Sequence, residues 1–205
     1  MGVQGHIYLV DDDVAVRASL SRMLEYLGYA VESYPSPHAF LAQSLPIAPA
    51  VLLLDMRMPQ MNGLALQQEL LRLGRTTPIV FISGESQTQE VIDAFKGGAI
   101  DFLLKPFNMD GLLRAIHQAM ARDREQLKTL RDTIDVQHSY DSVTPRERQI
   151  CQMVVNGLMN KEIADHFACS LKTVKVHRAR VMEKMGVTSL LELAEKMREL
   201  PQQPL

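Results

Sequence analysis

Short apolar runs alternate with amphipathic segments along the first hundred residues. The runs are His6–Val10, Ala30–Tyr34, Val51–Asp55, Ile79–Ser83 and Phe102–Lys105. Segments with helical periodicity separate them, at 14–27, 37–44, 63–73 and 87–97, and another begins at 109. The third and fourth runs show no polar alternation, which is typical of strands buried on both faces of a parallel sheet. Five such β-α units predict an α/β domain, doubly wound, with strand order 2-1-3-4-5.

The segment from Leu112 to Val143 contains neither Gly nor Pro. Its apolar residues recur at helical and heptad spacings: Leu113, Ile116, Met120, Leu127, Leu130 and Ile134. This stripe, which Asp123 interrupts, predicts that the last helix of the first domain continues as a long linker helix. The alternative is an ordinary helix followed by a disordered connector. The long helix is favoured because the stripe persists beyond Arg122.

After Ser142 the pattern is helical throughout. Thr144, Pro145 and Glu147 form the signature of a helix start, with an N-cap, a proline in the first position and a capping box. We expect this helix to run to about residue 156, then a short helix at 161–167 capped by Asn160, a longer one at 171–185, and a last one at 190–200. The predicted organisation is a domain at 1–122, a helical linker at 123–141 and an all-α domain at 142–205.

Composition limits the classes of protein. An apolar content of 46% and a charged content of 22% are ordinary for a soluble globular protein. The chain begins without a signal-peptide pattern, and no apolar run is long enough for a membrane span. Cys151 and Cys169 lack CxxC spacing, so we interpret them as small buried hydrophobes in a reducing cytosol.

Charge is distributed unevenly along the chain. Residues 1–108 carry seven Lys and Arg against eleven Asp and Glu, whereas residues 142–205 carry ten against seven. An acidic first part and a basic last part indicate two domains with different partners, and the basic one can meet nucleic acid.

Carboxylates follow two neighbouring strands of the predicted sheet. The first strand ends before Asp11-Asp12-Asp13, and the third ends in Asp55. Because the carboxyl ends of parallel strands share one edge, Asp11, Asp12 and Asp55 are expected to converge. Carboxylate oxygens suit Mg²⁺ or Mn²⁺, which would in turn hold phosphoryl oxygens. An N-cap for the first helix is the alternative role of Asp12 or Asp13.

Two further side chains are expected at the same edge. Lys105 ends the fifth strand and brings an ammonium that neutralises phosphoryl charge, and Ser83 ends the fourth strand and adds a hydroxyl. A carboxylate nucleophile, a metal, a cation and a hydroxyl together suit phosphoryl transfer that yields an acyl phosphate. Each signal is weak alone, and their order at four strand ends makes the set specific.

These motifs resemble the receiver domain of two-component response regulators. The similarity covers about 5–122 and rests on Asp11-Asp12, Asp55, Met58-Pro59, Gly63, Ser83, Phe102 and Lys105-Pro106. It implies that Asp55 accepts a phosphoryl group from a histidine kinase and that Lys105 contacts this group. It also implies a Mg²⁺ site made by Asp12, Asp55 and the backbone carbonyl of Arg57, with Asp11 assisting, and a cis bond at Lys105–Pro106.

Ser83 and Phe102 resemble the switch pair of that family, in which a hydroxyl turns toward the phosphate and an aromatic ring turns inward behind it. The family often carries Thr and Tyr at these positions. Ser83 keeps the hydroxyl, whereas Phe102 keeps the ring and loses a phenol hydrogen bond. The resemblance implies a changed surface near 87–105, where receivers of this family commonly dimerise.

The last domain contains a helix-turn-helix pattern. Its expected core positions are Ile163, Ala164, Phe167, Val174, Val181 and Met185. The opposite face of the longer helix carries Lys172, Thr173, Lys175, Val176 and Ala179, flanked by Arg178 and Arg180. Such a face fits the major groove, where long cations grip phosphates and small apolar groups contact thymine methyls. A solvated basic face is the alternative.

The sequence from Leu158 to Ala164, followed by that from Thr173 to His177, resembles the helix-turn-helix of NarL/FixJ-type regulators. The resemblance covers 142–200 and implies that Lys175, Val176 and Ala179 face bases. It places a second set at phosphates or in support of the helix: Asn160, Lys161, Thr173, His177, Arg178 and Arg180. A packed, hydrogen-bonded histidine is the alternative for His177. The last helix resembles the family's dimerisation helix, although core packing explains the same pattern.

Together the two resemblances imply a response regulator in which phosphorylation of Asp55 controls dimerisation and binding to double-stranded operator DNA. A sensor histidine kinase and RNA polymerase would be its partners, in the cytoplasm and without a membrane. No P-loop is present, so the chain is not expected to bind ATP directly. The resemblance implies no enzymatic activity beyond self-phosphorylation and self-dephosphorylation of Asp55. Two alternatives stay open: a constitutive, phosphorylation-independent DNA binder, and a Mg-dependent phosphotransferase.

Overall fold

The computed structural model describes residues 4–43 and 49–200. Contacts divide the chain into two compact units, with the division after Leu127. The first unit has two hydrophobic clusters, and the second unit has two smaller ones.

A parallel sheet of five strands forms the centre of the first unit. Its strands are β1 (His6–Val10), β2 (Ala30–Tyr34), β3 (Ala50–Asp55), β4 (Ile79–Ser83) and β5 (Asp101–Leu104). The order is β2-β1-β3-β4-β5, which confirms the predicted topology. Val10 pairs with Leu54 in the register of β1 and β3, so the carboxyl ends of these strands lie side by side.

Every residue of β3 and β4 is buried. One cluster lies on each face of the sheet, because successive side chains of a strand point to opposite faces. Leu53 and Val80 belong to one cluster, and Leu52 and Phe81 to the other. This burial confirms the interpretation of the two uninterrupted apolar runs as central strands.

The helices of the first unit begin where the sequence predicts them. They are α1 (Val14–Tyr26), α2 (Pro37–Leu41), α3 (Gly63–Arg72), α4 (Thr88–Lys96) and the first part of α5 (Met109–Asp141), which continues beyond Leu127. Asp13 is the N-cap of α1, since its carboxylate accepts from the N–H groups of Ala15 and Val16. The second helix ends at Leu41, with Ala42 as its C-cap, which is earlier than the predicted end at residue 44, a position outside the described residues.

Helix α5 is continuous over 33 residues, which confirms the long linker helix. Its first turns pack on the sheet through Ile116 and Met120, whereas Leu130 and Ile134 are 50% and 45% exposed. Asp123 is buried, and its Oδ2 accepts from the backbone N–H of Ala50 at 2.8 Å. Burial raises the pKa of Asp123, although that hydrogen bond partly opposes the rise. The polar interruption of the stripe is therefore a contact between α5 and β3.

The second unit contains α6 (Pro145–Val155), α7 (Asn160–His166), α8 (Leu171–Met185) and α9 (Leu190–Glu199). Thr144 and Glu147 form the predicted capping box. The prediction that Asn160 caps the short helix is wrong. Met159 occupies the N-cap, and its N–H donates to Glu162 at 2.6 Å. Gly186 ends α8 in the left-handed region at φ 59°, which glycine adopts without the steric cost of a side chain.

Within 4–43 and 49–200, none of the helices combines the length and the hydropathy that crossing a bilayer requires.

Candidate functional site

Lys105 joins two carboxylates at the carboxyl edge of the sheet. Its Nζ donates to Asp55 Oδ1 at 2.8 Å and to Asp11 Oδ2 at 3.0 Å. Asp11 and Asp55 are 1% and 6% exposed, because Asp11 follows the buried end of β1 and Asp55 ends the fully buried β3. The structure therefore brings together three of the residues that the sequence placed at this edge.

The remaining carboxylate oxygens have backbone partners. Asp55 Oδ2 accepts from the N–H of Arg57 at 2.7 Å, and Asp11 Oδ1 accepts from the N–H of Asp13 at 2.8 Å. The guanidinium of Arg17 donates to the carbonyl of Asp11 at 2.6 Å. These contacts hold both carboxylates in fixed orientations toward Lys105.

Burial dominates the electrostatics of the Asp55 carboxylate. It raises the pKa of Asp55; Lys105 lowers that pKa and Asp11 raises it again, so it stays above its ordinary value. Burial also lowers the pKa of Lys105, but its hydrogen bonds to Asp55 and Asp11 outweigh this, and the pKa of Lys105 is raised. Lys105 is thus firmly cationic, and further positive charge would favour ionised Asp55.

Lys105 pairs with Asp11 and Asp55, and Asp12 has a different setting. It is exposed and lines a cleft of about 450 Å³ together with Arg57, Glu90 and four others: Met56, Met58, Pro59 and Asn62. In the described part of the chain, no three Asp, Glu, His or Cys side chains form a metal-binding cluster. Of the three carboxylates expected to converge, Asp11 and Asp55 meet at Lys105, whose ammonium offsets their repulsion, and Asp12 borders the cleft that Arg57 also lines.

Helices α7 and α8 of the second unit bury the predicted apolar positions. Ile163, Val174 and Met185 are fully buried, Ala164 and Val181 nearly so, and Phe167 is partly buried. The guanidinium of Arg146 lies 3.5 Å from the centroid of the Phe167 ring. The two helices consequently pack as the helix-turn-helix pattern predicts.

The opposite face of α8 is exposed. It presents Lys172, Thr173, Lys175, Val176, Ala179 and Arg180. Arg178 is half-buried and donates to Asn160 Oδ1, which ties α8 to α7. Lys161 is exposed at the start of α7. Most of the side chains expected at bases and phosphates are thus exposed on α8, and the Arg178–Asn160 contact joins α8 to α7.

One ring nitrogen of His177 lacks the hydrogen bond that its alternative role would give it. Its Nδ1 is buried and lacks a hydrogen-bond partner among the residues that the structure describes. His177 belongs to the same helix as the exposed cations, and its side chain is half-buried.

Comparison with protein families accounts for both units. The model of the response regulator receiver domain matches residues 7–117, and that of the luxR family of bacterial regulatory proteins matches residues 141–197. The chain belongs to the response regulators with a LuxR-type DNA-binding domain. Such a chain is a transcriptional regulator rather than a conventional enzyme, and the constitutive-binder and phosphotransferase alternatives are not favoured.

Relatives of the same organisation match most of the chain. Response regulator protein TmoT of Ectopseudomonas mendocina is 41% identical over 187 residues, which is 91% of this chain and 85% of TmoT. The structure of response regulator StyR has a TM-score of 0.85 at 37% identity and covers 95% of this chain and 98% of StyR. Full-length FixJ from B. japonicum has a TM-score of 0.57 at 34% identity, with 96% and 97% covered.

In the receiver domain, Ser83 is the last residue of β4 and Phe102 lies in β5. Ser83 is fully buried, and its Oγ donates to the carbonyl of Glu85 at 2.6 Å and accepts from Ser86 at 2.8 Å. The Phe102 ring is partly buried and stacks on Phe81 with the centroids 5.8 Å apart. The Lys105–Pro106 peptide bond is cis, as expected.

Two ion pairs were not predicted from the sequence. In the DNA-binding domain, Lys184 Nζ contacts Glu147 Oε2 at 2.6 Å. In the receiver domain, Arg57 Nη2 contacts Glu90 Oε2 at 3.1 Å. Glu147 was recognised only as a capping residue. No sequence signal links residues 37 or 33 positions apart, so tertiary structure alone reveals both pairs.

Proposed function

We propose that Asp55 accepts a phosphoryl group from a phosphohistidine of a sensor kinase, and that phosphorylation controls dimerisation and operator binding. The observation that supports this most is the buried Asp11–Lys105–Asp55 arrangement beside an open cleft, in a receiver domain joined to a DNA-binding domain. A buried carboxylate held beside a cation suits nucleophilic attack on phosphorus.

In the proposed step an Asp55 carboxylate oxygen forms a bond to phosphorus while the bond from phosphorus to the histidine nitrogen breaks. The leaving imidazole takes a proton from solvent. The Lys105 ammonium offsets charge on the transferred group, which adds about −1.5 to −2 charges to the site. Attack by water on the acyl phosphate returns Asp55 and phosphate.

Receiver domains generally bind Mg²⁺, and the residues here fit it. Asp12, Asp55 and the backbone carbonyl of Arg57 would hold Mg²⁺ or Mn²⁺, with Asp11 assisting. Mg²⁺ typically takes one or two carboxylates and keeps several waters, and Asp12 and Arg57 line an open cleft that leaves room for them. The ion supplies positive charge to phosphoryl oxygens.

Ser83 and Phe102 would transmit the effect of phosphorylation to the surface of the receiver domain. We propose that the Ser83 hydroxyl leaves the Glu85 carbonyl for the phosphoryl group and that Phe102 moves behind it. Because Phe102 has no phenol hydroxyl, only the packing of its ring would stabilise the inward position. The adjoining surface exposes Ile92, Phe95 and Leu104, and a homodimer formed there would bury them.

In the DNA complex, α8 would enter the major groove. Lys175, Val176 and Ala179 would face bases. A second set would contact phosphates or support the helix: Asn160, Lys161, Lys172, Thr173, His177, Arg178 and Arg180. The proposed division is a receiver at 1–122, a linker at 123–141 and a DNA-binding domain at 142–205. The protein would act on RNA polymerase in the cytoplasm.

The test is operator affinity with and without phosphorylation. DNA is first selected with the full chain in the presence of acetyl phosphate and Mg²⁺. We expect the phosphodonor to tighten binding by about 5- to 150-fold, the usual range for coupled sites. Equal affinities would support the constitutive DNA binder, and rapid multiple turnover of the phosphodonor would support a phosphotransferase.

Lys175→Ala tests the DNA-binding surface. We expect it to weaken binding to the selected operator by about 1–3 kcal/mol and to relax preference at one base position, as loss of a base contact does. Lys128→Ala, an exposed lysine of α5, is the matched control and should leave affinity nearly unchanged. Equal losses for both variants in a fluorescence titration would show that Lys175 contributes only general charge.

A further inference from the structure

Helix α4 has little apolar attachment to the receiver domain. Ala94 is its one fully buried residue within 88–96, and Ile92 and Phe95 are 42% and 47% exposed. Near its carboxyl end, the buried Gln67 side chain donates to the carbonyl of Ala94 at 3.0 Å. Because few apolar contacts hold it, polar contacts have a large share in fixing α4, and their loss frees it easily.

The start of α4 is held by Glu90. Its Oε2 accepts from the N–H of Gln87 at 2.9 Å, which completes a capping box, and also from Arg57 Nη2 at 3.1 Å. One carboxylate therefore caps α4 and binds it to the loop that follows β3.

Arg57 also adjoins the phosphoacceptor. Its N–H donates to Asp55 Oδ2 at 2.7 Å, and it lines the same cleft as Asp12 and Glu90. Its side chain is 56% exposed, so the guanidinium has room to change partner. A phosphoryl group on Asp55 would offer more negative charge than one carboxylate, and arginine binds phosphate in a strong bidentate geometry.

We propose that the Arg57–Glu90 ion pair is a latch on α4 that phosphorylation opens. Without phosphate, Arg57 holds the capped start of α4 against the acceptor loop. With phosphate on Asp55, the guanidinium turns to the phosphoryl oxygens, Glu90 keeps only its capping role, and α4 is released. This inference rests on the proposed phosphorylation of Asp55 and adds Arg57 as a second cation for that group.

A double-mutant cycle tests the latch in the full chain. Glu90→Gln removes the charge but keeps an oxygen acceptor for the capping box, and Arg57→Gln removes the guanidinium. The measurement is hydrogen exchange of the α4 amides, with Mg²⁺ alone and with Mg²⁺ plus beryllium fluoride as the phosphoryl mimic. Without the mimic, each variant should exchange about 2- to 5-fold faster, as expected for a partly exposed ion pair, and the double variant no faster than either.

With the mimic, the two substitutions should no longer be coupled, because the pair is already open. Glu69→Gln, which breaks the exposed Arg72–Glu69 pair on α3, is the matched control and should leave α4 exchange unchanged. Additive effects without the mimic, or the same coupling with and without it, would overturn the latch.

Mass spectrometry of Asp55 after treatment with acetyl phosphate separates the two proposals. Labelled Asp55 with persistent coupling overturns the latch alone. Unlabelled Asp55 overturns the proposed function and, with it, the opening of the latch by phosphate.

Discussion

Asp55→Asn is expected to abolish acyl-phosphate formation on the full chain. An amide lacks the negative charge of the carboxylate nucleophile, so residue 55 can no longer attack phosphorus. Phosphodonor-dependent tightening of operator binding should disappear with the label. The measurements are intact mass after acetyl phosphate treatment and operator titration of the same samples.

The same substitution should stabilise the receiver domain at neutral pH. The pKa of Asp55 is raised in the folded protein, so the folded state binds the proton more tightly than the unfolded state does. Stability is therefore lost as the pH rises from about 4, the ordinary value of an aspartate, through the raised pKa. Asp55→Asn avoids this loss, and its advantage over the native protein should vanish below about pH 4.

Asp13→Asn is the matched control for Asp55→Asn. It replaces an exposed carboxylate three residues after β1 that caps α1, and asparagine caps helices as well as aspartate does. Labelling should be retained in this variant. Undiminished labelling of Asp55→Asn would refute the assignment of the acceptor.

Glu147→Ala is expected to destabilise the DNA-binding domain by about 3 kcal/mol, the loss typical of removing one partner from a buried ion pair. Glu147 is 2% exposed, and its Oε2 accepts from Lys184 at 2.6 Å, from Thr144 Oγ1 at 2.9 Å and from the Thr144 N–H at 3.0 Å. Alanine removes all of these contacts and leaves the half-buried Lys184 unpaired. Hydrogen exchange of the α6 and α8 amides in the full chain measures the loss of stability of the DNA-binding domain separately from that of the receiver domain.

Glu162→Ala is the control for Glu147→Ala. Glu162 accepts from the N–H of Met159 at 2.6 Å, so it also completes a helix start, but it is exposed. Its replacement should cost about 1 kcal/mol, the usual value of a helix cap. Equal losses for the two variants would show that the contact with Lys184 contributes little.

The Glu147 ion pair also predicts how the stability of this domain depends on pH. Hydrogen bonds from Lys184 and from Thr144 lower the pKa of Glu147 to about 2. Because the folded-state pKa is depressed, the stabilisation is complete above about pH 4.5 and is lost as the pH falls toward 2. Glu147→Ala should flatten the stability of α6 and α8 over this window, and a profile as steep as that of the native protein would contradict the prediction.

Periodicity and caps made the fold predictable. The uninterrupted apolar runs of β3 and β4 identify central strands, and the continuous pattern without Gly or Pro identifies α5 as one helix. The one cap predicted wrongly, Asn160, shows the limit of such signals. Asn and Glu162 lie within one turn of the same helix start, and only the structure shows that Glu162 satisfies the cap while Asn160 accepts from Arg178.

The sequence by itself indicated that Asp11, Asp55, Ser83 and Lys105 share one edge of the sheet, because parallel strands joined by helices have their carboxyl ends at the same edge. Tertiary structure alone decided which of these side chains meet. It placed Lys105 between Asp11 and Asp55, 94 and 50 positions away, and left Asp12 at the cleft. Periodicity and capping act over a few residues, whereas such ion pairs depend on side-chain directions that only the packed sheet and helices specify. The Arg57–Glu90 and Glu147–Lys184 pairs follow the same rule.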